Sequence, residues 1–314
     1  MPKLRITVAV ITYNRSRFLR ETLAGLVKQD YPPERWELLV IDNNSKDDTA
    51  DAVAAFMAST PSPRRILETL QGLDHGRNRA VAEARGDVIA FLDDDVIVEP
   101  DWLSRISEPF ASVNSHAIGV VGGEVVPVFP EGLPAWLIGA HAPLAFRADT
   151  GPLPPGQAPM GANFAFPKWV FTQFGNFDTT LDRQGPNLFG GGDAEMIRRV
   201  RAKGLEVWFV PGAKVLHQFP SSRLTFRYAA RHAFDSARSR VVEKTRSLRD
   251  SRRSPLPYLA SRAVGSAFKL AGYLIQAAAC LVALQREPAK RALVRAWRSC
   301  GYLYQIARSA VGKI

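Results

Sequence analysis

The stretch Asp87-Val88-Ile89-Ala90-Phe91-Leu92-Asp93-Asp94-Asp95-Val96 decides how the rest of this chain reads. Five apolar residues in a row, 88–92, predict a strand buried on both faces. It ends abruptly at three carboxylates, which repel one another unless something cationic lies between them. Asp93 and Asp95 are two apart, so on a continuing strand they share a face. Hard oxygen donors of this kind suit Mg²⁺ or Mn²⁺, whose shells are commonly completed by substrate phosphates. A solvated acidic loop, or a helix N-terminus that favours negative charge, accounts for an acidic triplet alone. The apolar strand directly before it shifts the reading toward a metal site.

Working outward, residues 1–120 alternate short β-branched runs with helical stretches. Strands are expected at 6–12, 37–41, 65–67, 87–92 and 118–121, with helices at 15–28, 47–57, 74–84 and 104–110. Tyr31-Pro32-Pro33 stops the first helix, because proline lacks the N–H and restricts the residue before it. Such alternation predicts an α/β fold with a mostly parallel sheet covered on both faces. Ligands then bind beyond the carboxyl ends of the strands. The residues to inspect are therefore Tyr13-Asn14, Asp42-Asn43-Asn44 and the aspartate triplet. Residues 127–160 are rich in Pro and Gly without a period and read as a long connection or lid over a site. Further strands are expected at 163–166 and 206–210, and a helix at 193–202.

Three other constellations carry candidate chemistry. Gly190-Gly191-Gly192-Asp193-Ala194-Glu195 sets an acid at a helix start behind a glycine turn, a placement that suits a general base and equally an N-cap. Glu195 is a second candidate base or a plain first-turn acid. His217 follows the apolar run Val215-Leu216 and is a structural histidine or a metal ligand. In Leu73-Asp74-His75-Gly76-Arg77-Asn78-Arg79, the arginines either face phosphates or lie exposed at a helix start.

In order, these pieces resemble the family-2 glycosyltransferases of GT-A fold. The carriers are Val8-Ala9-Val10-Ile11-Thr12-Tyr13-Asn14-Arg15, Leu39-Val40-Ile41-Asp42-Asn43-Asn44-Ser45 with Asp47 and Thr49, Gly76-Arg77-Asn78, Phe91-Leu92-Asp93-Asp94-Asp95, Gly161-Ala162-Asn163, and Gly192-Asp193-Ala194-Glu195. The resemblance covers about residues 4–220. It implies a Rossmann-like mixed sheet flanked by helices and an inverting transfer of one sugar from a nucleotide-sugar, a UDP-sugar by default. It also implies a metal, Mg²⁺ or Mn²⁺. By position it assigns Thr12, Tyr13, Asn14, Asp42, Arg77, Asp93 and Asp94 to the nucleotide, Asp95 and His217 to the metal, and Asp193 (with Glu195 as alternative) to the base. The family often has Glu before the base, where this chain has Gly192. The Gln-x-x-Arg-Trp of processive synthases is absent, since Gln218 leads into Phe219-Pro220-Ser221.

The net charge of +11 is concentrated in the last third. Residues 221–314 hold 19 basic and 4 acidic side chains, against 22 and 26 before them. This divides the chain into an expected catalytic domain, 1–220, and a basic helical region, 221–314. A basic segment on a nearly neutral body predicts a phosphate-bearing partner. Sixteen uncharged residues, 270–285, would make a helix of ~24 Å, short of a ~30 Å hydrocarbon core. A helix lying in the membrane interface beside anionic lipid is expected, with a soluble hairpin or a re-entrant segment as alternatives. That placement favours a glycan or lipid-linked acceptor and a cytoplasmic protein held peripherally or monotopically at the inner face. A nucleic-acid-binding protein, a nucleotidyltransferase and an inactive sugar-nucleotide binder are the competing readings; no nucleic acid is expected. Apolar residues at 46% and charged ones at 23% exclude disordered, collagenous and coiled-coil chains. Two cysteines, Cys280 and Cys300, exclude a disulfide scaffold, and no signal peptide is expected.

Overall fold

The computed structural model describes residues 4–56, 63–112, 115–138, 143–181 and 188–311. The chain forms two compact units. One comprises Met1–Val128, Ala142–Thr180 and Gly192–Gln218; the other comprises Phe129–His141, Leu181–Gly191 and Phe219–Ile314. The sequence led us to expect one cut at 220. The second unit also takes in two earlier stretches: Trp136 and Leu137 cluster with Leu224, Phe226 and Val294, while Leu188 N and Gly190 N donate to Asp235 and Ser239.

Among the described residues the first unit is built on nine strands: β1 (Ile6–Thr12), β2 (Trp36–Asp42), β3 (Arg64–Leu67), β4 (Val88–Asp93), β5 (Val96–Val98), β6 (Ile118–Val128), β7 (Gly151–Pro152), β8 (Asn163–Pro167) and β9 (Glu206–Gln218). Their order is β3-β2-β1-β4-β8-β6-β9-β5, with β7 beside β9. The first four run parallel. β8 runs antiparallel to both β4 and β6, so the sheet is mixed, as the resemblance implied, rather than mostly parallel. Helices α1 (Ser16–Leu26), α2 (Thr49–Ala54), α3 (Leu73–Glu83), α4 (Trp102–Ser107), α5 (Lys168–Phe174) and α6 (Gly192–Ala202) cover it. Residue 57, the expected end of the second helix, lies outside the described residues.

Side-chain alternation sorts β1, β2 and β4 between two cores. Val8, Val10, Leu38, Val40, Ala90 and Leu92 face α1, α2 and α4 through Leu19, Leu23, Val53 and Trp102. Ala9, Ile11, Leu39, Ile41, Ile89 and Phe91 face α3, α5 and α6 through Val81, Phe171 and Ile197. Strands buried on both faces need continuous apolar runs, which is why these were readable.

β9 is longer than residues 206–210. Its register with β6 passes from Gly123↔Val210 to Val125↔Val215, so residues 211–214 bulge opposite Glu124 alone. Asn163 pins this bulge. Its Nδ2 donates to Ala213 O at 2.7 Å and Glu124 O at 3.1 Å, and its Oδ1 accepts from Trp102 Nε1 at 3.0 Å. Beyond the bulge, β9 pairs with β5, setting Val96 opposite His217. The 127–160 segment also carries structure, with β6 running to Val128, a bridge between Val125 and Leu144, and β7.

The second unit is helical: α7 (Phe226–Asp250), α8 (Leu256–Val282) and α9 (Arg286–Ala310). Thr225 caps α7 by accepting from Tyr228 N. α9 packs on both other helices, and Gly301 permits its close approach to α7, since a Cβ there would overlap the Phe234 carbonyl. α8 is continuous through Arg262 and Lys269, longer than the 16-residue run suggested, and is long and apolar enough to cross a membrane. Val264, Phe268, Ile275 and Val282, spaced by four and seven, form one exposed stripe along it, Phe268 being 77% exposed.

Candidate active site

Parallel register brings the expected residues to one edge of the sheet. Thr12 lies beside Asp42, and Ile11 beside Asp93, at the carboxyl ends of β1, β2 and β4. The loops there are tied together by side chains. Asn14 Oδ1 accepts from Lys46 N at 2.7 Å, and Asn14 itself has a φ of 52°, a left-handed conformation that asparagine tolerates. Asn43 Nδ2 donates to Leu70 O at 2.7 Å, and its Oδ1 accepts from Gly72 N at 2.8 Å. The end of β2 is thereby joined to the start of α3.

The aspartate triplet divides by role. Asp94 turns inward, accepting from Thr12 Oγ1 at 2.8 Å and from Arg15 Nη1 at 2.9 Å. Burial pushes its carboxyl up to about 6 against the pull of Arg15. Arg15 Nη1 also reaches Asp95 Oδ2 at 2.7 Å, so it supplies the cation that three adjacent carboxylates demand. Asp95 Oδ1 lies 2.9 Å from His217 Nε2. Burial opposes charge on both, yet their mutual attraction prevails, holding the Asp95 carboxyl below and the His217 imidazole above the ordinary values.

Asp93, Asp95 and His217 each offer a ligand atom within 4.8 Å of the others. Two carboxylates and an imidazole fit a hard to borderline divalent ion, so the donor set suits Mg²⁺ or Mn²⁺. Ligation needs a neutral imidazole, so it and the Asp95 ion pair are alternative states of His217.

Across from this cluster lies Arg77, which is 4% exposed. Its Nη1 donates to Asp74 Oδ1 at 2.9 Å, and its guanidinium stacks 5.2 Å from the Phe164 ring and 5.4 Å from Phe177. Burial opposes its charge, but Asp74, Asp193 and Asp93 together raise its pKa further. A Cβ on Gly161 would fall 2.5 Å from Arg77 Nη2 and 2.9 Å from Asp193 Oδ2. The next residue, Ala162, accepts at its carbonyl from Asp93 N at 3.3 Å. Asp193 and Asp93 therefore flank adjacent residues of one segment.

The remaining expected residues are placed as follows. Asp42 accepts from Arg65 and from Ser45 N at 2.9 Å, and is buried. Tyr13 stands 41% exposed at the rim. Glu195 lies along α6, paired with Arg199 at 2.8 Å and Arg198 at 3.5 Å. Sequence reading missed Arg15, Arg65 and Asp74 as partners and Asn163 as the pin; the unbalanced charge of the triplet was the one signal for Arg15.

Residues 7–150 match the family described as Glycosyl transferase family 2. The chain is 27% identical over 255 residues to the glucosyl-dolichyl phosphate glucuronosyltransferase of Haloferax volcanii, covering 76% of this chain and 77% of that one. Among solved structures it resembles the mannosyltransferase PcManGT from Pyrobaculum calidifontis, in complex with GDP-Man and Mn²⁺. There the TM-score is 0.63 at 21% identity, covering 99% of this chain and 88% of that one. S. aureus TarS 1-349 in complex with UDP gives a TM-score of 0.55 at 15% identity, covering 98% and 92%. With the mixed sheet and the carboxylate cluster at its edge, these matches mark residues 7–150 as a family-2 glycosyltransferase domain in a chain of GT-A fold.

Proposed function

We propose that this enzyme transfers one sugar, with inversion, from a nucleotide-sugar to a hydroxyl on a lipid-linked or cell-surface glycan precursor. The observation that carries this reading is the shared segment 161–162, which Asp193 and Arg77 meet at Gly161 and Asp93 meets at Ala162. A candidate proton acceptor and the backbone at the start of the Asp93-x-Asp95 pair then lie against one two-residue segment.

Asp93, Asp95 and His217 would hold the divalent ion, which when bound supplies positive charge to the departing nucleoside diphosphate. Asp193 takes the proton of the acceptor hydroxyl as that oxygen attacks the anomeric carbon. The bond to the diphosphate breaks on the opposite face, and its electron pair leaves with the phosphate oxygen. Asp193 is preferred to Glu195 because the Glu195 carboxylate already pairs with two arginines of its own helix. Arg77 holds the 161–162 segment in place through Gly161 and the Phe164 and Phe177 rings. Tyr13, exposed at the rim, is the side chain best placed to meet the base, while Thr12 and Asp94 act by fixing Arg15. The basic helical unit, with its apolar stripe, supports attachment at the inner membrane face, where a lipid-linked acceptor would lie.

The test is a panel of UDP-, GDP- and other nucleotide-sugars with Mg²⁺ or Mn²⁺, scored by donor hydrolysis and thermal stabilisation, a UDP-sugar being expected. Asp193→Asn should lower turnover ~10²–10⁴-fold. Its donor affinity should hold within about threefold, because the side chain acts only on the acceptor proton. Turnover unchanged in that variant, or no donor bound in the panel, would overturn the reading.

A further inference from the structure

We propose that the helical unit contains a pocket for the phosphate headgroup of an anionic membrane lipid. The pocket is a cavity of about 590 Å³ formed by α7, α8 and α9. Five cations line it: Arg240, Arg262, Lys269, Arg295 and Arg298. Among the described residues no aspartate or glutamate lines it; Glu243 acts on Tyr258 from beyond the lining.

Five like charges around one cavity repel one another. Burial, Arg240 and Arg262 together hold the Arg298 guanidinium below its ordinary value. Arginine does not deprotonate in proteins, so an anion is what relieves such a cluster. The groups are also aimed. Arg262 lies over the Tyr302 ring at 3.9 Å, and Arg295 lies 5.9 Å from Tyr273. Ring contact orients the guanidinium planes in advance, and although Arg240 and Arg262 each hydrogen-bond Tyr302, an arginine carries five N–H donors, so donors remain for phosphate contacts. Arg262 Nε is buried with no acceptor among the described residues. Ser261, Ser266 and Ser299 add hydroxyls to the same wall.

The same helix argues for a lipid over a free phosphate. Arg262, Ser266, Lys269 and Tyr273 turn one face of α8 to the pocket, while the exposed stripe of Val264, Phe268, Ile275 and Val282 lies on the other. A helix with a cationic face and an uncovered apolar face suits the membrane boundary, where headgroup phosphates lie. A compact cavity suits one phosphate group, whereas single-stranded nucleic acid needs a groove that follows its backbone. The proposal rests on the membrane-facing reading of this unit and is independent of sugar transfer.

The experiment uses the full chain and dihexanoyl phosphatidic acid, a soluble short-chain lipid. It should raise Tm saturably, and R240Q/R298Q should weaken that response at least ~10-fold. R249Q/R253Q, which removes equal charge from outside the pocket lining, should leave it within about twofold. Because Arg240 hydrogen-bonds Tyr302, K269Q/R295Q serves as a second pocket variant at two exposed positions. F268S/I275S should lose salt-resistant retention on phosphatidylglycerol vesicles yet keep the short-chain response, which separates failure of the membrane reading from failure of the pocket. Equal losses in the pocket and charge-matched variants would overturn the proposal. So would inorganic phosphate binding as tightly as the lipid, or an RNA oligonucleotide binding the pocket more tightly than either.

Discussion

A lysine in place of Arg77 would keep the charge and lose the fit. The guanidinium stacks near both Phe164 and Phe177 while its Nη1 holds Asp74, and an ammonium, a point charge without a plane, cannot meet all three at once. Arg77→Lys should cost about 2–4 kcal/mol in urea unfolding, since a buried pair is left poorly matched; a loss under ~0.5 kcal/mol would show that the stack contributes little. Gly161 poses the opposite test, where nothing is removed and one carbon is added. Its Cβ would stand 2.5 Å from Arg77 and 2.9 Å from Asp193, so those groups must move apart. Gly161→Ala should lower kcat by about 10–10²-fold, because small misplacements of reacting groups are costly, with a smaller fractional effect on donor affinity. Steady-state kinetics beside donor titration checks this, and unchanged kcat would free Asp193 from the role given to it.

Among the elements, β9 does the most for the site and was the least legible. Pro211-Gly212 reads as the end of a strand, and in isolation it is a stop. The strand resumes because β5 supplies a new partner and Asn163 bonds the bulge from β8, contacts that no local pattern records. By contrast, β1, β2 and β4 were legible because strands buried on both faces leave unbroken apolar runs. The placement of Asp93 at a strand end and of Asp193 at a helix start was legible in the motifs, while the ion pairs of Arg15, Arg65 and Asp74 were not, since which arginine answers which carboxylate is decided across 3 to 80 residues of chain. α8 is longer than the 16-residue run suggested for a related reason: Lys269 bounds that run in sequence but sits with Arg262 on one face of a continuous helix. The bulge gives a prediction at this scale. Asn163→Ala leaves the Trp102 indole and two buried carbonyls unpaired, which should cost about 2–4 kcal/mol. It should also weaken Mn²⁺ binding, read by calorimetry, because His217 depends on the bulge for its place beside Asp95. Full Mn²⁺ affinity in a destabilised variant would mean that β5 alone sets the histidine.

At the scale of the molecule, the proposed chemistry and the proposed membrane attachment would draw on different forces, and that difference can be measured. In that proposal the site unit relies on a short-range cluster of two carboxylates and an imidazole. The helical region, with 19 basic and 4 acidic residues in 221–314, depends on a long-range field together with an apolar stripe. Chelation with EDTA should therefore stop turnover and leave retention on phosphatidylglycerol vesicles unchanged. Salt should do the reverse in part. Raising it from about 0.01 M to about 1 M shortens the screening length from ~30 Å to ~3 Å, so the field contribution falls away. A residual fraction should stay bound, because burying the stripe in the acyl boundary is worth ~1.5–3 kcal/mol for each large side chain and is not screened. F268S/I275S should remove that salt-resistant fraction while sparing the binding seen at low salt. If EDTA released the protein, or if the salt-resistant fraction survived both serines, attachment would have to come from some other surface of the chain.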